Sequence, residues 1–294
     1  MVNYYLDRFE KNLRYLHLSK SQKLIKHPVR AICKKILEVM LSIIDKSIRI
    51  KSKTFWGDRM TLVWKESVSS SIIFDNGLFE AGLTRMILQY LQPGMIFFDI
   101  GAHFGYFSML ASRIVGPKGQ VHSFEPTKSS YEILSLNLKN RENTHLNNLA
   151  LWSKSESVEF DDYGIELSAF NSIFQPRLAN ETKAKIIPAR YEIQAISLDE
   201  YVSGNNIKPD FIKIDAESAE YDILLGMSRI LREIRPIISL EVGDMDLPGV
   251  LTSKELIIYL INKGYQAYEY NEESIIRHEI KDRYSYDNIL FLPV

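Results

Sequence analysis

Two sets of residues in this chain have the types and spacing to do chemistry. The first is a bend, Asp99-x-Gly101-x-x-x-Gly105, that follows the apolar run 95–100 and opens a helical pattern at Tyr106, Phe107, Met109, Leu110, Ile114 and Val115. Glycines at such a bend let backbone approach a ligand, and the next helix offers unpaired N–H groups at its start. Glu125 stands about twenty residues past the bend, the place of a ribose-binding acid in nucleotide-binding βαβ units, and a carboxylate there accepts both hydroxyls of a ribose. The second set is acidic. Asp215 and Glu217 follow the apolar run 211–214, and Glu241 follows the run 237–240. Carboxylates that converge can take a proton from a hydroxyl nucleophile, a contribution of about a hundredfold to ten-thousandfold. Alternatively they can hold a divalent ion such as Mg2+ that acidifies the hydroxyl. The sequence does not choose between base and metal.

These residues need strands to carry them. A short, nearly continuous apolar run between Pro93-Gly94 and a glycine reads as a strand buried on both faces of a parallel sheet, and 120–124, 211–214 and 237–240 read the same way. In an open parallel sheet the crevice lies beyond the strand carboxyl ends, so Asp99, the bend, Glu125 and the three later acids are expected around one crevice. A dinucleotide site wants G-x-G-x-x-G, whereas this bend puts His103 where a second glycine would stand, and no P-loop lysine is present. Asp99 would repel a pyrophosphate but suits the cationic amino-acid end of S-adenosylmethionine. His103 sits where positive φ is needed and histidine tolerates it, so a turn role outweighs a catalytic one.

The stretches FFDIGAHFGYFS, HSFEPTKSSYEILSLNLKNR, NNLALW, ISLDEYV and DFIKIDAESAEYDILLGM, in this order, resemble the successive blocks of the FkbM-type family of S-adenosylmethionine-dependent methyltransferases. The resemblance spans roughly residues 74–242. The family's usual Asn is His103 here, and the usual Gly of its D-x-E-G-A-E block is Ser218. It implies a class I methyltransferase (Rossmann-like) fold, with a seven-stranded mostly parallel sheet and helices on both faces. It further implies S-adenosylmethionine as cofactor and O-methylation of a hydroxyl on a sugar, glycan or related natural product. Cofactor contacts would come from Asp99, Gly101, Ala102, His103, Gly105 and Glu125, with Asn148 and Ala150 where this general fold meets the adenine. Asn148 could equally satisfy a loop carbonyl. Catalytic roles fall to Asp215, Glu217 and Glu241, which are also the metal candidates. Capping accounts for one or two acids near 215–220 but not for Glu241 on another strand. The rivals are a nicotinamide-dependent oxidoreductase, disfavoured by the bend spacing, and a cofactor-binding partner protein without catalysis.

The rest of the chain frames this unit. Residues 1–75 are expected as a helical and irregular extension and 76–294 as the methyltransferase domain. A helix over 78–91 leads in, with Glu80 at its start either near the cofactor's amino group or, preferred, simply favourable to the helix dipole. Residues 143–151 read as the third strand. The stretch 152–197 is least readable, with strands near 158–160 and 186–196 and Phe170-Asn171-Ser172 as an acceptor contact on a substrate lip. Thr252-Ser-Lys-Glu255 is a capping box, and 265–270 and 288–292 read as a final antiparallel pair at the sheet edge.

Composition bounds the setting. Apolar content of 46% and charged content of 25% are ordinary for a soluble globular chain. A net charge of −1 gives no global pull towards nucleic acid. One cysteine, Cys33, excludes a disulfide framework and a Cys-based metal site, so a cytoplasmic setting is the default. The first residues are too charged for a secretory signal peptide, and no run reaches membrane-spanning length. Residues 1–53 are nonetheless basic, and Val29, Ile32, Cys33, Ile36, Leu37, Met40, Ile43 and Ile44 have helical spacing. Such a helix packs on the catalytic domain or a second copy, the preferred reading, or lies on an anionic membrane at its inner face.

Overall fold

The computed structural model describes residues 2–29, 47–171, 187–244 and 249–294, with 32, 35, 36, 39 and 43 besides. Helices Val2–Leu16 (α1) and Lys20–Lys26 (α2) precede an antiparallel hairpin of Arg49–Lys53 (β1) and Arg59–Val63 (β2). Ser67–Phe74 (α3) starts where the Glu66 carboxylate accepts from the backbone N–H groups of Val68 and Ser69, which satisfies two donors the first turn leaves open. Ala81–Tyr90 (α4) leads to Ile96–Ile100 (β3), Tyr106–Val115 (α5), Gln120–Phe124 (β4), Lys128–Leu138 (α6) and Thr144–Asn147 (β5). Then come Ala150–Leu151 (β6), Glu156–Asp162 (β7), Ala189–Ile196 (β8), Leu198–Asn205 (α7), Phe211–Ile214 (β9), Glu220–Leu225 (α8) and Ile237–Val242 (β10). Ser253–Asn262 (α9), Tyr265–Tyr270 (β11), Ile275–Arg277 (β12) and Asp287–Pro293 (β13) close the chain's described elements.

The main sheet has eight strands in the order β12-β11-β13-β10-β9-β3-β4-β5. From β5 to β10 neighbours run parallel, and β13, β11 and β12 are joined antiparallel. Seven of these strands give the expected doubly wound sheet with an antiparallel end. The eighth, β12, lies outside the expected edge pair, because Asn271 turns the chain back after β11 with its side chain accepting from the N–H groups of Glu273 and Ser274. The expected third strand is also shorter than 143–151. It stops at Asn147, whose Nδ2 donates to the carbonyls of Ser123 and His145, and Asn148 turns away from the ladder. Side-chain amides that bond backbone carbonyls compete with strand pairing. β6 instead joins β8 and β7 in a separate three-stranded sheet.

Alternation along buried strands sends successive side chains to opposite faces. Phe97 packs in a core with Phe9, Phe55, Leu83, Leu110 and Phe211, whereas Phe98 packs in a second core with Ile212, Leu240, Ile257 and Phe291. The first is covered by α1 and α3–α6, the second by α7–α9. Register matters more than mass here. Asp99 pairs with Lys213 and with Ser123, and Glu241 pairs with Asn288. The capping box on α9 is present, with Thr252 Oγ1 accepting from Glu255 N and the Glu255 carboxylate accepting from Thr252 N.

Much of the amphipathic helix expected after Pro28 lies outside the described residues, including Cys33, Leu37, Met40 and Ile44. Of its remaining apolar positions Val29, Ile32, Ile36 and Ile43 are 74%, 52%, 53% and 78% exposed. The expectation that they pack on the catalytic domain is therefore corrected at these positions. Ser172, Ile186 and the side chain of Phe170 likewise fall outside the described residues.

Candidate active site

A cavity of about 280 Å³ opens at the carboxyl ends of β3, β4, β9 and β10. That is near the lower end of the roughly 300–1,000 Å³ common for ligand sites. Gly101, Ala102, His103, Glu125 and Ala150 line it, and so do Asp215, Glu217 and Glu241. Asp99, Gly105 and Asn148 do not.

The bend explains itself residue by residue. Gly101 has φ +70°, and a Cβ built on it would stand 1.7 Å from the Asp215 carbonyl oxygen. Gly105, at φ +86°, would put a Cβ 2.6 Å from Leu134 Cδ1. The backbone conformation and the close approach of neighbouring atoms thus favour glycine at both positions, in addition to any ligand approach. His103 has φ +49°, as its turn role requires, and its Nε2 lies 2.7 Å from Ser168 Oγ. Burial lowers the His103 pKa, so a neutral ring stands at the cavity wall.

Glu125 is 6% exposed, and its carboxylate accepts from the N–H groups of His103 and Thr127, each at 2.9 Å. Burial nonetheless pushes its pKa up to about 7, the two N–H donors offsetting only part of that cost. Asn148 donates through Nδ2 to the carbonyls of Glu125 and Pro126 at 2.8 and 3.0 Å, so its amide nitrogen holds the loop beneath Glu125. Between its two expected roles the loop carbonyl is the one occupied.

Asp99 is fully buried behind the cavity. Its Oδ2 accepts from Ser108 Oγ at 2.5 Å, and its Oδ1 stands 3.2 Å from Lys213 Nζ. This corrects the expectation that Asp99 faces a ligand: the register of β3 against β9 commits it to a lysine inside the sheet. Lys213 also stands 3.2 Å from Asp215 Oδ2 and donates to the Gly101 carbonyl at 2.8 Å. Burial pulls the Lys213 pKa down, but Asp215, Asp99 and Glu80 more than offset this, and the net direction is upward. A charged lysine therefore joins the bend to the acid strand.

One ligand oxygen from each of Asp215, Glu217 and Glu241 can be chosen so that all lie within 4.8 Å of one another. Glu217 and Ser218 adopt φ +48° and +80°, left-handed values that glycine favours, which accounts for glycine as the usual residue at the position of Ser218. The turn is held by Glu220, whose Oε1 accepts from Ala216 N at 3.0 Å and Ser218 N at 3.3 Å.

Glu80 also lines the cavity, so its place at the start of the helix is not its whole role. It sits at the N-cap of α4 with φ +40° and no capping bond. Instead its carboxylate accepts from Tyr286 Oη at 2.6 Å and Asn288 Nδ2 at 3.2 Å. Burial first, then Asp215, raises the Glu80 pKa to about 7. Lys213 and Tyr286 went unpredicted from sequence. The signal for Lys213 was a lysine inside the four-residue apolar run FIKI, since lysine is almost never fully buried unless paired. Tyr286 carried no comparable signal.

Five carboxylates, Glu80, Glu125, Asp215, Glu217 and Glu241, thus line the cavity against one lysine. This donor set fits a cationic ligand, whether a sulfonium with its ammonium group or a divalent ion.

The sequence profile of the Methyltransferase FkbM domain matches residues 99–267. The chain is 26% identical over 162 residues to hexuronic acid methyltransferase AglP of Haloferax volcanii, covering 54% of this chain and 61% of the relative's length. Among solved structures, it is similar to a methyltransferase FkbM of Methylobacillus flagellatus, with 16% identity and a TM-score of 0.43 over 77% of this chain and 48% of that one. It is also similar to TYW2 of M. jannaschii in complex with AdoMet, with 13% identity and a TM-score of 0.41 over 85% and 89% of the two chains.

Proposed function

The chain belongs to the FkbM methyltransferase family, and from that premise we propose that it transfers a methyl group from S-adenosylmethionine to a hydroxyl of a sugar, glycan or related natural product. The single observation that carries the O-methyl reading is the grouping of Asp215, Glu217 and Glu241 at the mouth of the cavity that also holds the Gly101 bend and Glu125. A hexuronic acid methyltransferase among its relatives supports the saccharide class.

In this reading the backbone of 101–103 and the Glu125 carboxylate hold the ribose end, and Ala150 borders the adenine. Glu80, beside Asp215 and Lys213, faces the amino-acid end. S-adenosylmethionine supplies an electrophilic methyl on sulfur. The chain's contribution is to hold the acceptor oxygen in line with it at near-attack distance. Transfer would exchange the S–CH3 bond for an O–CH3 bond, and a carboxylate of the Asp215 group would take the hydroxyl proton. Lys213, 3.2 Å from Asp215, keeps that carboxylate oriented. If the same three acids held a divalent ion, their role would be to hold it, and the ion would supply the acidification of the hydroxyl.

The test is transfer of labelled methyl to fractionated cell glycans, with and without chelator. Label in a glycan fraction is expected. Loss on chelation with recovery on added magnesium selects the metal scheme, and undiminished transfer selects the carboxylate base. Binding of S-adenosylmethionine without transfer to any fraction would favour a non-catalytic partner protein, and binding of NAD alone would defeat the proposal.

A further inference from the structure

Charge is unevenly spread along this chain. Residues 1–53 hold thirteen Lys or Arg against four Asp or Glu, a net of nine positive charges, while the whole chain carries −1; the remaining residues therefore carry ten net negative charges. Helix α1 within the basic segment is fixed to the body. Phe9 is fully buried, Arg8 Nε donates to the Phe55 carbonyl at 2.7 Å, and Glu10 meets Arg85 at 2.7 Å. Beyond α1, several described apolar side chains of the basic segment face outward. Leu24 and Ile25 of α2 are 51% and 79% exposed. Pro28, Val29, Ile32, Ile36 and Val39 are helical, and Val29, Ile32, Ile36, Val39 and Ile43 are all more than half exposed. By the helical period of the sequence, the positions Val29, Ile32, Ile36 and Val39 share one sector about 80° wide, and Ile43, at a turn, follows them.

A row of exposed β-branched side chains in a basic segment has few physical uses. Burial against the body is excluded at these positions by their exposure. A second copy would bring two segments of nine like charges together, which opposes self-pairing. Nucleic acid would reward the charge but not a row of isoleucine and valine. An anionic bilayer rewards both, because the apolar row enters the headgroup boundary while lysines and arginines meet lipid phosphates. We propose that the face carrying Val29, Ile32, Ile36, Val39 and Ile43 docks this protein peripherally on an anionic lipid surface. Among the described residues no helix is long and apolar enough to cross a membrane.

The test is flotation of the full chain with vesicles of phosphatidylcholine alone, or containing about 30% phosphatidylglycerol. Binding to the anionic vesicles is expected to exceed binding to the neutral ones by about tenfold or more, and to weaken in about 0.5 M salt. The double variant Ile32→Glu/Ile36→Glu should lose about tenfold or more in partitioning, and Ile32→Leu/Ile36→Leu should keep it. Both should keep the wild-type thermal transition, since these side chains are exposed. Absence of flotation with either vesicle would overturn the proposal. So would sedimentation showing a dimer that Ile32→Glu/Ile36→Glu dissociates without vesicle binding, or duplex RNA displacing the protein from vesicles.

Discussion

At the scale of single residues, the carboxylates of this cavity divide by what surrounds them. Asp215 shares a charged lysine and meets solvent, whereas Glu125 is sealed against two backbone N–H groups. Asp215→Asn is expected to lower kcat by about a hundredfold to ten-thousandfold with little change in cofactor affinity, measured by turnover beside calorimetric titration. Glu125 makes a prediction about pH. Its carboxyl rises from 4.5 to about 7 on folding, so the folded state binds the proton more tightly. The stabilisation is complete below the unfolded value and is lost as pH rises through about 7, a swing of roughly 3 kcal/mol as an order of magnitude. Thermal melts of the ligand-free protein should fall between pH 5 and 8, and Glu125→Gln should flatten that fall. Asp215, Glu217, Glu241 and Glu125 were legible in the sequence because each ends or follows an apolar run that had to be a strand. Asp99 was misjudged, since only the pairing of β3 with β9 reveals that a lysine takes it.

At the scale of elements, β9 does more than carry Asp215 to the crevice. Lys213 lies inside it at 2% side-chain exposure, between Asp99 and Asp215. Lys213→Met is expected to cost about 3–5 kcal/mol in urea unfolding, because two carboxylates lose the cation between them. Asp99→Asn in the same chain should recover part of that loss, a coupling that a double-mutant cycle reads directly. The strand runs were legible from apolar length, and α9 from its capping box. The end of β5 was not, because polar Asn147 and Asn148 sit inside an otherwise extended pattern and their amides bond carbonyls of β4 and of the turn that follows it. Nor was the start of α4 legible: Glu80 looks like a first-turn acid in sequence, and only β13 and the residue before it, about two hundred positions on, give it Asn288 and Tyr286.

At the scale of the whole molecule, the basic N-terminal segment and the catalytic body share one apolar core through Phe9, Phe55, Trp56 and Tyr106. Phe9→Ala is expected to cost about 3–5 kcal/mol by chemical denaturation, a core-sized loss from a residue far from the bend in sequence. The mostly parallel sheet with helices on both faces was implied by the family resemblance, whereas the way α1 closes over the hairpin was not legible, since helix and hairpin meet only in the folded chain. The placement of β13 between β10 and β11 carries a temporal consequence. Glu80 acquires its hydroxyl and amide partners from residues synthesised 206 and 208 positions later. A nascent chain still holding 286–288 inside the ribosome exit tunnel has the Gly101 bend, Glu125 and Asp215 already made, yet Glu80 lacks both of these partners. The wall of the cavity at Glu80 is therefore complete only once β13 has paired beside Glu241.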